Sequence, residues 1–159
     1  MSRSIRFSLN RISAPRVSFV DYLAMCKRLG VDSIEIRNDL PGVEMQDGAA
    51  PATIKAAAAA AGITIRSINA LYPFDIFNAD LESRATAMAK YAAQCGAEAL
   101  VMCPFNSWDD KRTPAERHAD LVKSLKSLRP ILEDNGLLGL VEPLGFQQCS
   151  LRRKSDAVK

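Results

Sequence analysis

The sequence predicts an α/β fold: a partial (β/α)8 barrel of about five parallel strands, with four complete helices and the start of a fifth. Three observations predict it. A unit recurs, in which Gly30 precedes VDSIEIR, Gly62 precedes ITIRSINA, Gly96 precedes AEALVMCP and Gly136 precedes LLGLVEP, at intervals of 32, 34 and 40 residues. Each glycine closes a helical stretch, where the chain often turns left-handed at no cost to a residue without a Cβ. A β-rich run follows each one, and such alternation returns every strand to the same starting end, which makes a parallel sheet. Next, the strands are polar on one side. Strands covered by helices on both faces read as apolar throughout, whereas these have one apolar wall for helices and one polar wall suited to a barrel interior. Finally, all five strands offer a polar residue at or near their C-terminal end, Asn10, Arg37, Asn69, Asn106 and Glu142, and barrel sites are built at those ends. No GxGxxG follows the first strand, which removes a dinucleotide-binding sheet.

Taken in order, the first strand covers 5–10, with Ile5, Phe7 and Leu9 facing helices and Arg6, Ser8 and Asn10 facing the interior. Ser18 caps the first helix, SFVDYLAMCKRL, with Asp21 in its first turn. The second strand, 33–37, sets Ile34 and Ile36 against Ser33, Glu35 and Arg37. Pro51 opens the alanine-rich second helix. The third strand, 64–71, places Ser67 and Asn69 on one face, and its helix starts at Asn78 or Asp80 and runs to Cys95. The fourth strand covers 99–106. Thr113, Pro114 and Glu116 form a capping-box start for the fourth helix, which Pro130 is expected to kink. The fifth strand is 137–142, and a fifth helix begins near the end of the chain.

A chain of 159 residues, 48% of them apolar, supports one domain with a sizeable core. The formal charge of +3 is too small to imply a nucleic-acid partner, and Arg152, Arg153 and Lys154 read as a solvated helix face. The cysteines at 26, 95, 103 and 149 show no CxxC pairing and no nearby histidine, which argues against a zinc finger or redox motif, and three of them fall in apolar helix or strand contexts and read as small core residues. No apolar run reaches membrane-spanning length and the N-terminus has no apolar signal core, so a cytoplasmic location is expected.

The stretch LGLVEPLGF raises the main chemical question. A carboxylate closing an apolar strand is costly to bury without a partner. Glu142 therefore pairs either with a base, such as Arg37 across the interior, or with a metal ion. Glu35, one pleat deeper, either holds Arg37 or is structural. Tyr72, Phe74, Phe77 and Trp108 lie in loops that would cover the site. His118, in the fourth helix beside Arg117 and Asp120, reads as a surface residue.

FSLNRIS, SIEIRND, SINALYPFDIFN and VEPLGFQQC together resemble the xylose-isomerase-like TIM-barrel superfamily, with the greatest similarity to the inosose (2-keto-myo-inositol) isomerases of inositol catabolism. The resemblance implies one divalent metal ion (Mn, Mg, Co or Zn) with Glu142 as its first ligand and as a catalytic carboxylate. It implies isomerisation of a keto-polyol or sugar through an enediolate, with the ion as Lewis acid and a carboxylate moving the proton. Asn10, Arg37, Asn69, Asn106 and Trp108 would bind substrate. Such enzymes have eight strands and about 250 residues. The chain is accordingly expected to be a single, C-terminally truncated domain over 1–159, lacking the remaining ligands and weakly active or inactive. Its open strand edges suggest a homo-oligomer or a complementing chain. The alternatives are a non-catalytic sugar-binding or remnant half-barrel and a hydroxypyruvate or ketose isomerase. An endonuclease on the same barrel would need a histidine-rich zinc centre, and the chain has one histidine.

Overall fold

The computed structural model describes Ile5 and residues 7–158. Its main elements are β1 (Leu9–Asn10), α1 (Phe19–Arg28), β2 (Ser33–Arg37), α2 (Pro51–Ala60), β3 (Thr64–Leu71), α3 (Ala79–Cys95), β4 (Ala99–Met102), α4 (Pro114–Asp134), β5 (Leu138–Val141) and α5 (Lys154–Ala157). The five strands form one sheet in chain order, with every neighbouring pair parallel. The caps are those the sequence dictates. Ser18 accepts from the Asp21 amide, Asn78 rather than Asp80 caps α3, and Thr113 and Glu116 close a reciprocal capping box. The four repeat glycines all have positive φ, from 65° at Gly62 to 77° at Gly96. Helix α4 continues through Pro130 to Asp134.

The sheet has two unlike walls. Ile34, Ile36, Leu100 and Met102 face the helices and join one core with Leu23, Leu81, Leu128 and Leu132. Ala85, Ala89 and Ala92 are buried along α3, and small side chains there let the helix lie close to its neighbours. Gly139 is on this outer wall too. A Cβ there would stand 2.8 Å from Met102 Cε and 2.9 Å from Leu132 Cδ1, so α4 rides directly over β5. The inner wall carries Glu35, Ser67, Asn69 and Cys103, and on β5 it carries Leu138 and Leu140, which are exposed.

Two strands are shorter than the sequence suggests by four residues each, and β5 by one residue at each end. The regular pairing of β1 begins only at Leu9. Arg6 lies outside the described residues, and Ile5 and Phe7 are exposed rather than helix-covered, because β1 is a sheet edge. Ser33 Oγ still donates to the Phe7 carbonyl at 3.0 Å, so the chain runs beside β2 there. β4 stops at Met102, two residues before Pro104, which has no N–H to continue a ladder. Asn106 is held instead by an isolated antiparallel bridge to Cys149. All four cysteines are buried and unpaired. Arg152 and Arg153 precede α5, so of that basic trio only Lys154 is helical. Among the described residues, no helix is long and apolar enough to cross a membrane.

Candidate active site at the strand ends

The inner wall carries a connected set of polar side chains. Glu35 Oε1 accepts from the Asn10 amide and, at 3.3 Å, from Asn69 Nδ2; its Oε2 accepts from Ser67 Oγ at 2.5 Å. Asn69 Nδ2 also donates to Glu142 Oε2 at 3.3 Å, and the Cys103 thiol lies 3.7 Å from the same oxygen. A side-chain amide has two hydrogens, and Asn69 directs one to each carboxylate. Strands are spaced about 4.8 Å apart, so β3 and β5, with β4 between them, are about 10 Å apart along the sheet. Their side chains meet because the sheet curls toward its polar wall. Glu142 Oε1 accepts no hydrogen bond from the described residues.

Charge on this wall is unbalanced. Among the described residues no lysine or arginine forms an ion pair with Glu35 or Glu142. Arg37 makes a two-pronged pair with Asp39 instead, at 2.8 and 2.6 Å. Neither a Glu142–Arg37 bridge nor a Glu35–Arg37 bridge forms, because the guanidinium turns to the carboxylate two residues along its own chain. Burial, followed by the negative charge of Glu142, pushes the Cys103 thiol up to about 12. Beside these groups opens a cavity of about 550 Å³ lined by Arg37, Asn38, Asn69, Tyr72, Arg84 and Cys103 among others.

Buried polar pairs hold the loops around this mouth. Arg11 is fully buried, ion-paired with Glu44 at 2.8 Å and stacked 4.8 Å from the centre of the Tyr22 ring. It ties the loop after β1 to the loop after β2. Asp75 accepts from the Phe105 amide at 2.7 Å and from Ser150 Oγ at 2.5 Å, joining the loops after β3, β4 and β5.

Residues 23–159 match the xylose isomerase-like TIM barrel family. The chain belongs to that family. A solved xylose isomerase domain-containing protein from Salmonella typhimurium is 33% identical, with a TM-score of 0.83, over 92% of this chain and 52% of that one. The IOLI protein, solved with a bound zinc atom, superimposes with a TM-score of 0.83 at 20% identity, over 96% of this chain and 56% of that one. A D-psicose 3-epimerase solved with D-fructose gives 0.68 at 15% identity, over 91% and 54%. This chain thus spans about half the length of the structures it matches. No curated protein sequence matches it.

Within this xylose isomerase-like chain, Asn10, Asn69 and Glu142 come together, and Arg37 lines the adjoining cavity. Asn10 is engaged at both ends of its amide, donating to Glu35 and accepting from the Ile12 N–H at 2.9 Å. Asn106 stands four residues beyond β4, with its Oδ1 buried and unpartnered. Trp108 is 70% exposed and is absent from the cavity lining. Of the loop aromatics Tyr72 reaches the cavity, whereas Phe74 is fully buried and Phe77 packs on the core. His118 is exposed in a separate cleft of about 450 Å³, beside Arg117 and Gln147. Sequence reasoning placed Glu35 on the right face but missed it as the hub of the network; its alternation with Ile34 and Ile36 was the available signal. It also missed the Cys103 contact, which nothing local announces. Among the described residues no group of three or more His, Cys, Asp or Glu side chains is arranged to hold a metal ion.

Proposed function

We propose that the chain is the ion- and substrate-binding half of a metal-dependent isomerase acting on a keto-polyol or sugar, inosose being the leading candidate. The observation that carries this reading is Glu142: it is exposed on the inner wall, two donors anchor one of its oxygens, and no lysine or arginine among the described residues forms an ion pair with it or with Glu35. Such a carboxylate fits one position in the oxygen-rich shell of a divalent ion. Glu142 would hold the ion through Oε1, with further ligands from outside the described residues. When bound, the ion supplies Lewis-acid polarisation of a substrate carbonyl. The zinc in the IOLI structure and the sugar in the epimerase structure support the class.

The residues of this chain do the remaining work. Asn69 Oδ1 and the Arg37 guanidinium orient substrate hydroxyls, and Tyr72 forms a wall of the cavity. Proton movement beside the carbonyl calls for a carboxylate within hydrogen-bonding reach of the carbon-bound proton, and Glu142 is this chain's candidate for that role. One carboxylate holds an ion weakly, so turnover by this chain is expected to be slight. The test is deuterium wash-in beside the keto group of 2-keto-myo-inositol in D2O with Mn2+, followed by NMR. Exchange above that of Glu142→Gln is expected; equal rates refute the reading. Binding of the polyol without any ion-dependent exchange would favour a sugar-binding module.

A further inference from the structure

We infer that the cavity beside the inner wall is an oxyanion subsite, which holds the phosphate or carboxylate end of a keto-polyol between Arg37 and Arg84. The inference rests on the proposed function only for the hydroxylated part of the ligand, and it needs no ion at Glu142. The cavity, about 550 Å³, is within the range of small-molecule sites, about 300–1,000 Å³. Its lining runs from Asn69 and Cys103 on the inner wall to Arg84 on α3. Arg37 ends β2 and Arg84 comes from a helix, so tertiary structure brings both guanidinium groups to one space. Both have N–H groups to spare. Arg37 gives its Nε and Nη2 edge to Asp39, and its Nη1 makes no hydrogen bond among the described residues. Arg84 donates from Nε to Asp80 and from Nη1 to the Tyr72 carbonyl, each at 2.8 Å, and its Nη2 is unengaged among the described residues.

The planar fork of a guanidinium matches two oxygens of a carboxylate or phosphate. With Asp39 on one edge of Arg37, the edge between Nη1 and Nη2 is left for a ligand. The two aspartates do not close the site. Their side chains are 51% exposed at Asp39 and 74% at Asp80, and ion pairs so open to water are weak competitors. The cavity is also polarised. At its inner end Glu142 accepts from Asn69 at 3.3 Å and lies 3.7 Å from the Cys103 thiol, so an anion is repelled there. The arginines attract the same anion. A ligand with one anionic and one hydroxylated end is therefore turned one way, with its oxyanion at the arginines and its hydroxyl and keto groups toward Asn69.

The experiment titrates the full chain, labelled with 15N, with D-fructose, D-fructose 6-phosphate, 2-keto-D-gluconate and inorganic phosphate. EDTA is present throughout, so no divalent ion contributes, and the amide shifts report affinity and location together. At least one anionic sugar is expected to bind about 10–100-fold more tightly than D-fructose, the range of hydrogen bonds to charged groups. Which one wins says whether the subsite takes phosphate or carboxylate. The advantage should shrink with added NaCl and vanish when Arg37→Met and Arg84→Met are combined. The corresponding lysine variants, which keep the charge without the fork, should retain part of it. Equal affinity for the three sugars would overturn the inference, as would no binding of any probe. So would an advantage that survives in the double methionine variant, or shifts centred on the separate cleft that holds Arg117 and Arg152. If the double variant does not fold, Arg84→Met alone takes its place, and an undiminished advantage there overturns the inference equally. D-Fructose bound at Asn69 with no gain from an anionic group would sink this inference alone. Inorganic phosphate bound at the arginines, with none of the three sugars bound, would sink the polyol reading instead, and with it the ligand class named here.

Discussion

Replacing Asn69 with aspartate exchanges an amide that donates to two carboxylates for a third negative charge at the same place. The two contacts to be reversed are both 3.3 Å long. At an effective dielectric constant near 20, two like charges at that distance repel by about 5 kcal/mol, so two such contacts would cost about 10 kcal/mol. A cheaper route exists, because the trio can take up a proton. At pH 7, protonating an aspartate of ordinary pKa (about 3.9) costs about 1.4 kcal/mol per pH unit, or about 4 kcal/mol in total. That is the ceiling on the charge penalty. The proton belongs to the three carboxyls jointly, and the protonated group can donate to one neighbour.

The sign follows from linkage. The group's folded-state pKa is raised above its unfolded value by like charge. Its stability is therefore fully present below the unfolded value and is lost as pH rises, by about 1.4 kcal/mol per unit. Urea unfolding of wild type and Asn69→Asp at pH 4, 5.5 and 7 measures this. The destabilisation should be smallest at pH 4 and grow by several kcal/mol by pH 7, and added Mn2+ should reduce it at pH 7. A difference between the two proteins that does not change with pH would refute the shared amide, and with it the account of the inner wall.

Three further outcomes are expected. Leu100→Ala removes a fully buried β4 side chain from the helix-facing core, and should cost about 3 kcal/mol in chemical unfolding. The Asp110 side chain is buried and ion-paired with Arg112 at 2.9 Å and Arg117 at 3.1 Å. Burial alone would raise its pKa, but the hydrogen bonds from Arg112 outweigh that and lower it. Its contribution is thus present at neutral pH and lost as pH falls below the usual aspartate range, so Asp110→Asn should be less stable at pH 7 and should lose less between pH 5 and 3. Leu138 and Leu140 are 66% and 46% exposed on the inner wall of the edge strand β5. Exposed apolar edges invite pairing between chains, so Leu138→Lys with Leu140→Lys should reduce concentration-dependent association in sedimentation velocity.

Much of the architecture was legible because it is written locally. The repeat glycines mark helix ends through their own φ, and the capping box at Thr113 needs only four consecutive residues. The two walls of the sheet follow from period-two alternation, which is how Glu35 was put on the interior before its partners were known. The failures were also local in cause. The residues from Ala99 to Asn106 are compatible with β structure throughout, while Pro104 ends the ladder. Trp108 and Phe74 both fall in loops after strands, and nothing in their neighbours says that one is exposed and the other fully buried.

By itself, then, the sequence determined the order of the elements, the parallel sheet and the side of each strand that faces the interior, since each depends on residues a few positions apart. Which interior groups touch was decided only by tertiary structure. Asn69 meets Glu35 across 34 residues of chain and Glu142 across 73. The first contact closes because β2 and β3 pair directly, and the second because the sheet curls; both pairing and curvature arise from the packing of whole strands and helices rather than from any local run of residues. Arg37 pairs with Asp39, two residues along its own chain, and Glu142 is exposed where the strand ends, so the burial cost that LGLVEPLGF suggests does not arise.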